Sequence, residues 1–173
     1  MRPNSRRLAV CVAALAIAVA LAGACGGGGR PAPTASLPAS PDALPSFDLA
    51  GFRQLLSQLH GRYVVVNIWG SWCAPCIAEA PHLSAVARET EGKVQFLGID
   101  ILDQRPPARS FIHKYGWIYP SVFDPSGSIR DGLGLLGQPH TLVYDPQGRQ
   151  VWVYSGPVPG EMLRLELKTL GAI

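Results

Sequence analysis

Two cysteines separated by Ala74 and Pro75 offer the clearest chemistry in this sequence of 173 residues. The segment Trp72-Cys73-Ala74-Pro75-Cys76 follows the β-branched and aromatic run Tyr63–Trp69 and opens a helical pattern. At a helix N-terminus, unpaired backbone N–H groups and the positive end of the dipole favour a thiolate at Cys73. Pro75 fits the first turn, where its missing N–H costs nothing. Two intervening residues bring the sulfurs within reach of a reversible disulfide, with Cys73 the exposed nucleophile and Cys76 the shielded, resolving thiol. Other cysteine chemistries fit less well. A structural zinc site needs four ligands, and Cys11 and Cys25 lie far upstream while none of the four histidines is suitably spaced. Haem attachment needs His after the second cysteine, where Ile77 stands. An inert disulfide would rarely occupy a junction of strand and Pro-bearing helix, so the placement points to redox exchange.

The elements around the motif point to an α/β domain. Tyr63–Trp69 alternates little and reads as a strand buried on both faces. Val94–Ile99, Thr141–Tyr144 and Gln150–Tyr154 read as further strands, the last two joined by the turn residues Asp145-Pro146-Gln147-Gly148. Helical patterns cover Cys76–Thr90, Ala108–Tyr115 and Glu161–Leu170. Strands alternating with helices, then a hairpin and a terminal helix, imply a central mixed sheet flanked by helices.

The N-terminus carries a separate message. Arg2, Arg6 and Arg7 precede an uncharged apolar run, Leu8–Ala22, of 15 residues. That is short for a membrane span and suits a signal peptide, here residues 1–24. Ser5-Arg6-Arg7 faintly resembles a twin-arginine signal, without its bulky apolar pair. Leu21-Ala22-Gly23-Ala24-Cys25 resembles a bacterial lipobox, although Ala22 stands where Leu is preferred. The resemblance implies cleavage before Cys25, lipidation of Cys25, and an extracytoplasmic, membrane-anchored protein; an ordinary cleavage site beside a stray cysteine is the alternative. From Cys25 to Pro45 the chain holds four consecutive glycines and five prolines. Such a segment reads as a flexible tether, with a root-mean-square reach of roughly 25 Å. The folded domain is then expected over residues 46–173. From Cys25 onward basic and acidic residues balance at twelve each, which gives no basic stripe for nucleic acid.

Asn67 through Pro81 resembles the active-site segment of thioredoxin-like proteins, and more narrowly the TlpA/ResA branch of extracytoplasmic disulfide reductases, which includes cytochrome c maturation proteins. Asn67 replaces the buried Asp of thioredoxins proper, and Glu79 stands where the branch carries an active-site Glu. About 40 residues separate Asp100 from Pro139, room for the inserted helix (Ala108–Tyr115) and strand (Tyr119–Phe123) of the TlpA/ResA/peroxiredoxin type. The resemblance implies a thioredoxin-like fold over Ser46–Ile173. It implies a cis proline at Pro139, with the Gln138 backbone pairing to bound polypeptide, and Trp72 as an exposed substrate contact. It implies thiols or disulfides of exported proteins as substrates, and a membrane redox partner that recharges the pair. No metal or organic cofactor is expected, since the Cys73–Cys76 couple is itself the cofactor.

Several readings stay open. His140 stands where Thr is usual; a ring turned toward the cysteines would tune the thiolate, and one turned away would be an ordinary strand residue. Glu79, with no cation between Tyr63 and His82, is either a proton acceptor with a raised pKa or a solvated helix residue. A reductase is favoured over an oxidase. A peroxiredoxin-like peroxide reductase is the alternative enzyme, but it wants Pro-x-x-x-Thr/Ser-x-x-Cys, and Gly70 stands three residues before Cys73. A non-catalytic copper-binding thioredoxin-like module is the alternative binder, although its relatives hold three residues between their cysteines.

Overall fold

The computed structural model describes residues 36–173. The expected signal peptide, the expected lipidation site Cys25 and about half of the expected tether lie outside the described residues. Within them the chain forms α1 (Leu49–Gln58), β1 (Tyr63–Trp69), α2 (Ala74–Glu89), β2 (Val94–Ile101), α3 (Arg105–Tyr115), β3 (Ser121–Asp124), α4 (Ser128–Gly132), β4 (His140–Tyr144), β5 (Gln150–Ser155) and α5 (Gly160–Thr169). The five strands lie in the order β3-β2-β1-β4-β5. β1 runs parallel to β2 and antiparallel to β4; β2 and β3 are parallel, and β4 and β5 form an antiparallel hairpin. This is the mixed sheet that the sequence implied. The inserted helix and strand appear as α3 and β3.

β1 sits at the centre because both of its faces are apolar. Val65 and Trp69 pack with α2, α3 and α5 on one side, while Val64, Val66 and Ile68 pack with α1 and α4 on the other. Each such side chain taken out of water contributes about 1.5–3 kcal/mol. A cluster of aromatic rings fills the first layer: Trp69 stacks on Phe111 and meets Trp117 edge-on, and Trp117 stacks on Tyr119. Gly98 on β2 makes room for it, because a Cβ there would overlap Ser121 Oγ and Trp69 Nε1.

Two features depart from expectation. The packed domain begins before residue 46. Leu44 is fully buried, Phe123 N–H donates to Pro45 O at 2.8 Å, and Arg105 Nε donates to Leu44 O at 3.0 Å. The last residues of the expected tether are therefore docked against β3 and α3, because Leu44 supplies apolar surface that composition alone underweights. The second is α1, which the sequence reading left without structure. Asp48 caps it by accepting from Gly51 N–H at 2.8 Å, and Phe52 and Leu55 bury its inner face.

Candidate active site

The end of β1 delivers the chain into a tight turn, in which Cys73 N–H closes on Gly70 O at 3.1 Å. Cys73 is the N-cap of α2, and its Sγ accepts from Cys76 N–H at 3.3 Å. Pro75 lies in the first turn. Cys73 and Cys76 are joined in a disulfide, with Cα atoms 5.2 Å apart. A freed Cys73 sulfur would keep the Cys76 amide, which favours the thiolate. The expectation that Cys73 is exposed is corrected: in the oxidised state it is 3% exposed and Cys76 1%. The Gln138 carbonyl oxygen stands 4.0 Å from the Cys73 sulfur.

Gln138 belongs to the loop before β4, and the Gln138–Pro139 bond is cis. The loop brings the Gln138 carbonyl to Cys73, and the cis bond at Pro139 is the one the resemblance implied. His140 does not join them. In the β1/β4 pairing it lies opposite Ile68, on the α1/α4 side of the sheet, whereas Asn67 and Thr141 pair on the other side. Its Nε2 sits 3.0 Å from Leu136 O, so the ring fastens the loop that carries Gln138 instead of facing the sulfurs.

Behind the cysteines, Glu79 is 1% exposed on α2. It is not a solvated helix residue. Asn67 Nδ2 on β1 donates to its Oε1 at 2.8 Å, and Val158 N–H donates to its Oε2 at 2.9 Å. Burial pushes the Glu79 carboxyl up to about 7, against the pull of the Val158 and Asn67 hydrogen bonds. A carboxyl poised there, with no cation paired to it, can take and return a proton near neutral pH.

Trp72 is 52% exposed. It borders a groove of about 500 Å³ with Ser71, Leu102, Asp103, Gln104, Pro107 and Pro125. Leu102 holds a left-handed backbone, φ 52°, and exposes its side chain in that groove. Such a conformation is costly for a residue with a Cβ; here it turns the chain so that Asp103 faces the active-site turn. Asp103 Oδ2 accepts from Ser71 N–H at 2.6 Å. Sequence reasoning missed Asp103, and it placed Asn67 in the active-site segment without its bond to Glu79. Asp103 lies 30 residues from Cys73, and no local pattern marks it.

No group of three or more His, Cys, Asp or Glu among the described residues is placed to hold a metal ion.

The fold and the sequence are matched in known proteins. The AhpC/TSA family model matches residues 29–152. The chain belongs to the AhpC/TSA family. Among its relatives, the thiol:disulfide interchange protein DsbE of Allochromatium vinosum is 32% identical over 145 residues, covering 82% of this chain and 78% of that one. The thiol-disulfide oxidoreductase ResA of Bacillus subtilis is 28% identical over 117 residues, 67% of this chain; the chain spans 65% of that relative's length. The crystal structure of a secreted Mycobacterium tuberculosis disulfide oxidoreductase homologous to Escherichia coli DsbE superimposes with a TM-score of 0.60 and 28% identity, covering 65% of this chain and 85% of that one. A DsbF homologue from Corynebacterium diphtheriae gives a TM-score of 0.61 at 31% identity, over 66% and 75%. The domain over residues 36–173 is thus a thioredoxin-like domain carrying a thiol–disulfide oxidoreductase site of the ResA/DsbE type.

Proposed function

We propose that the protein is an extracytoplasmic, lipid-anchored reductase of disulfides in exported proteins, with cytochrome c maturation as its setting. The observation that carries the reading is the Cys73–Cys76 disulfide closed at the start of α2, with the buried Glu79 behind it and the Gln138 carbonyl in front. In the reduced state Cys73 attacks a substrate disulfide, forming a mixed disulfide and releasing one substrate thiolate. Cys76, giving its proton to Glu79, then attacks Cys73, releases the second thiolate and restores the internal disulfide. Two electrons pass to the substrate, and a membrane redox partner must return them. Trp72 and the groove beside it would hold the flanking polypeptide, and the Gln138 backbone would pair with it as an added strand. The cysteine pair is the cofactor; no metal or organic group is needed.

Oxidation of exported proteins is the second reading, favoured by the likeness to the secreted mycobacterial disulfide oxidoreductase. The potential of the couple against glutathione separates the two. A value near about −270 mV is expected, as for thioredoxin, while one near about −120 mV would mark an oxidant.

The anchor is tested separately. No helix among the described residues is long and apolar enough to cross a membrane, and the lipobox-like Leu21–Cys25 supplies the proposed attachment. Mass spectrometry of the mature protein should find a lipidated N-terminal Cys25 in the membrane fraction. An unmodified N-terminus, or protein released freely into the medium, would remove the anchor from the proposal.

A further inference from the structure

One buried carboxyl has no part in the exchange chemistry described above. Asp100, near the end of β2, is 0% exposed, and neither of its oxygens finds a donor among the described residues. Its in-register neighbours, Trp69 on β1 and Phe123 on β3, carry no charge. Two charged groups act on it: Asp103, on the loop before α3, and Arg105, the first residue of α3. Arg105 is committed elsewhere, with Nε donating to Leu44 O, Nη2 donating to Ser46 Oγ, and the guanidinium over the Phe123 ring. The Asp103 carboxyl, three residues on and itself an acceptor, acts on Asp100 by its charge and as a hydrogen-bonding neighbour.

Two carboxylates in contact cannot both stay ionised out of water, but a single shared proton converts their repulsion into a hydrogen bond. The proton belongs on Asp100, because Asp103 is occupied as an acceptor. Its Oδ1 takes Gln104 N–H at 2.7 Å and its Oδ2 takes Ser71 N–H at 2.6 Å. Ser71 lies two residues before Cys73, inside the turn closed by the Cys73 N–H to Gly70 O bond. A protonated Asp100 would therefore donate to Asp103, which in turn holds the backbone that presents Trp72 and Cys73.

We propose that Asp100 and Asp103 are positioning residues, a proton-sharing carboxyl pair that holds the Ser71–Cys73 turn and loosens it when the shared proton is lost. Burial first, then the charge and hydrogen bond of Asp103, push the Asp100 carboxyl up to about 9, against the opposing charge of Arg105. The lock is closed at neutral pH and opens in alkali. It acts on the turn itself, so it applies whichever way electrons flow through the cysteines, and its test does not depend on the reductase reading.

The experiment follows reduction of the Cys73–Cys76 disulfide in the full oxidised chain by a water-soluble phosphine, from about pH 6 to about pH 10. In the wild type the rate constant should rise by about threefold or more across a step near pH 9, as the turn opens locally. Asp100→Asn keeps a donor for Asp103 but cannot titrate, so it should match the wild-type rate below the step and show no step. Asp103→Asn leaves Ser71 an acceptor but removes the neighbouring charge, and should move the step to lower pH. The Ser71 amide proton, followed by nuclear magnetic resonance, should shift with the same midpoint in the wild type and stay flat in Asp100→Asn. A step that persists in Asp100→Asn, a wild type with no step, or a step that coincides with loss of helical circular dichroism would each overturn the proposal.

Discussion

Cys76→Ser should accumulate mixed disulfides with substrate proteins, and Cys73→Ser should accumulate none. The asymmetry follows from the start of α2. Cys73 is the N-cap, and its sulfur accepts the Cys76 amide at 3.3 Å, so the leaving or attacking thiolate at Cys73 is held by a backbone donor. Cys76 follows within the first turn of α2 and is 1% exposed, in the apolar layer that contains Ala80 and Leu83. Reduction should open a path to Cys73 first, since Trp72 beside it is exposed and borders the groove. Turnover of Cys73→Ser should fall on the order of 10³-fold or more, as expected when a covalent nucleophile is removed. Non-reducing electrophoresis of both variants, with alkylation of free thiols, reads the result directly. Equal trapping by the two variants would reverse or erase the assigned roles.

Glu79→Gln should remove the rise of the resolving rate that the wild type shows through about pH 7. Below that value Glu79 holds its proton and cannot take one from Cys76; above it, the carboxylate can. Loss of a positioned proton acceptor costs on the order of 10²-fold. The variant should also alter stability, and the sign is fixed by burial. In the unfolded chain this carboxyl titrates at about 4.3, while in the fold it is raised to about 7. Between those values the unfolded chain has lost a proton that the native state keeps, so Glu79 makes stability fall as pH rises through the window. Glu79→Gln should be more stable than the wild type near neutrality by a few kcal/mol, with a flatter dependence on pH. The fold should accept glutamine, because Asn67 Oδ1 has no partner among the described residues and can accept from its amide if the Asn67 side chain turns over. Denaturation and single-turnover rates across pH test both halves. If the profiles of variant and wild type coincide, Glu79 does not carry the proton.

Much of the site was legible because its chemistry is local. The strand Tyr63–Trp69, the turn, and the helix begun by Cys73, Ala74 and Pro75 lie within one continuous segment, and their hydrophobic pattern and cap residues require no distant partner. The helix α1 went unread although its signals are local: Asp48 is a good N-cap, and Phe52, Leu55 and Leu59 recur on one face. α4, by contrast, spans five residues and holds one buried side chain, Ile129, which leaves no period to detect.

His140 shows the limit of reasoning by position. The Gln138 carbonyl two residues before it reaches Cys73, yet alternation along β4 sends the His140 ring to the opposite face of the sheet. Leu44 shows another limit, since a single apolar residue in a Pro-rich stretch gives no sign of the surface that awaits it between α3 and β3.

The sequence by itself determined the reaction centre: two cysteines at a strand–helix junction, a carboxyl one turn further on, and strands of the right order to close a mixed sheet around them. Only the tertiary structure decided how the charges are held. Glu79 acquires its raised pKa from burial among the packed layers, against the opposing pull of the Asn67 and Val158 donors, which come from β1 and from the segment before α5. Asp103 meets the active-site turn only because β2 lies beside β1 and the left-handed Leu102 turns the chain. Hydrophobic period and helix caps act between neighbours in the chain and are written in order along it. Desolvation and the pairing of buried polar groups depend on what folding brings across the sheet, and no short stretch of residues encodes that.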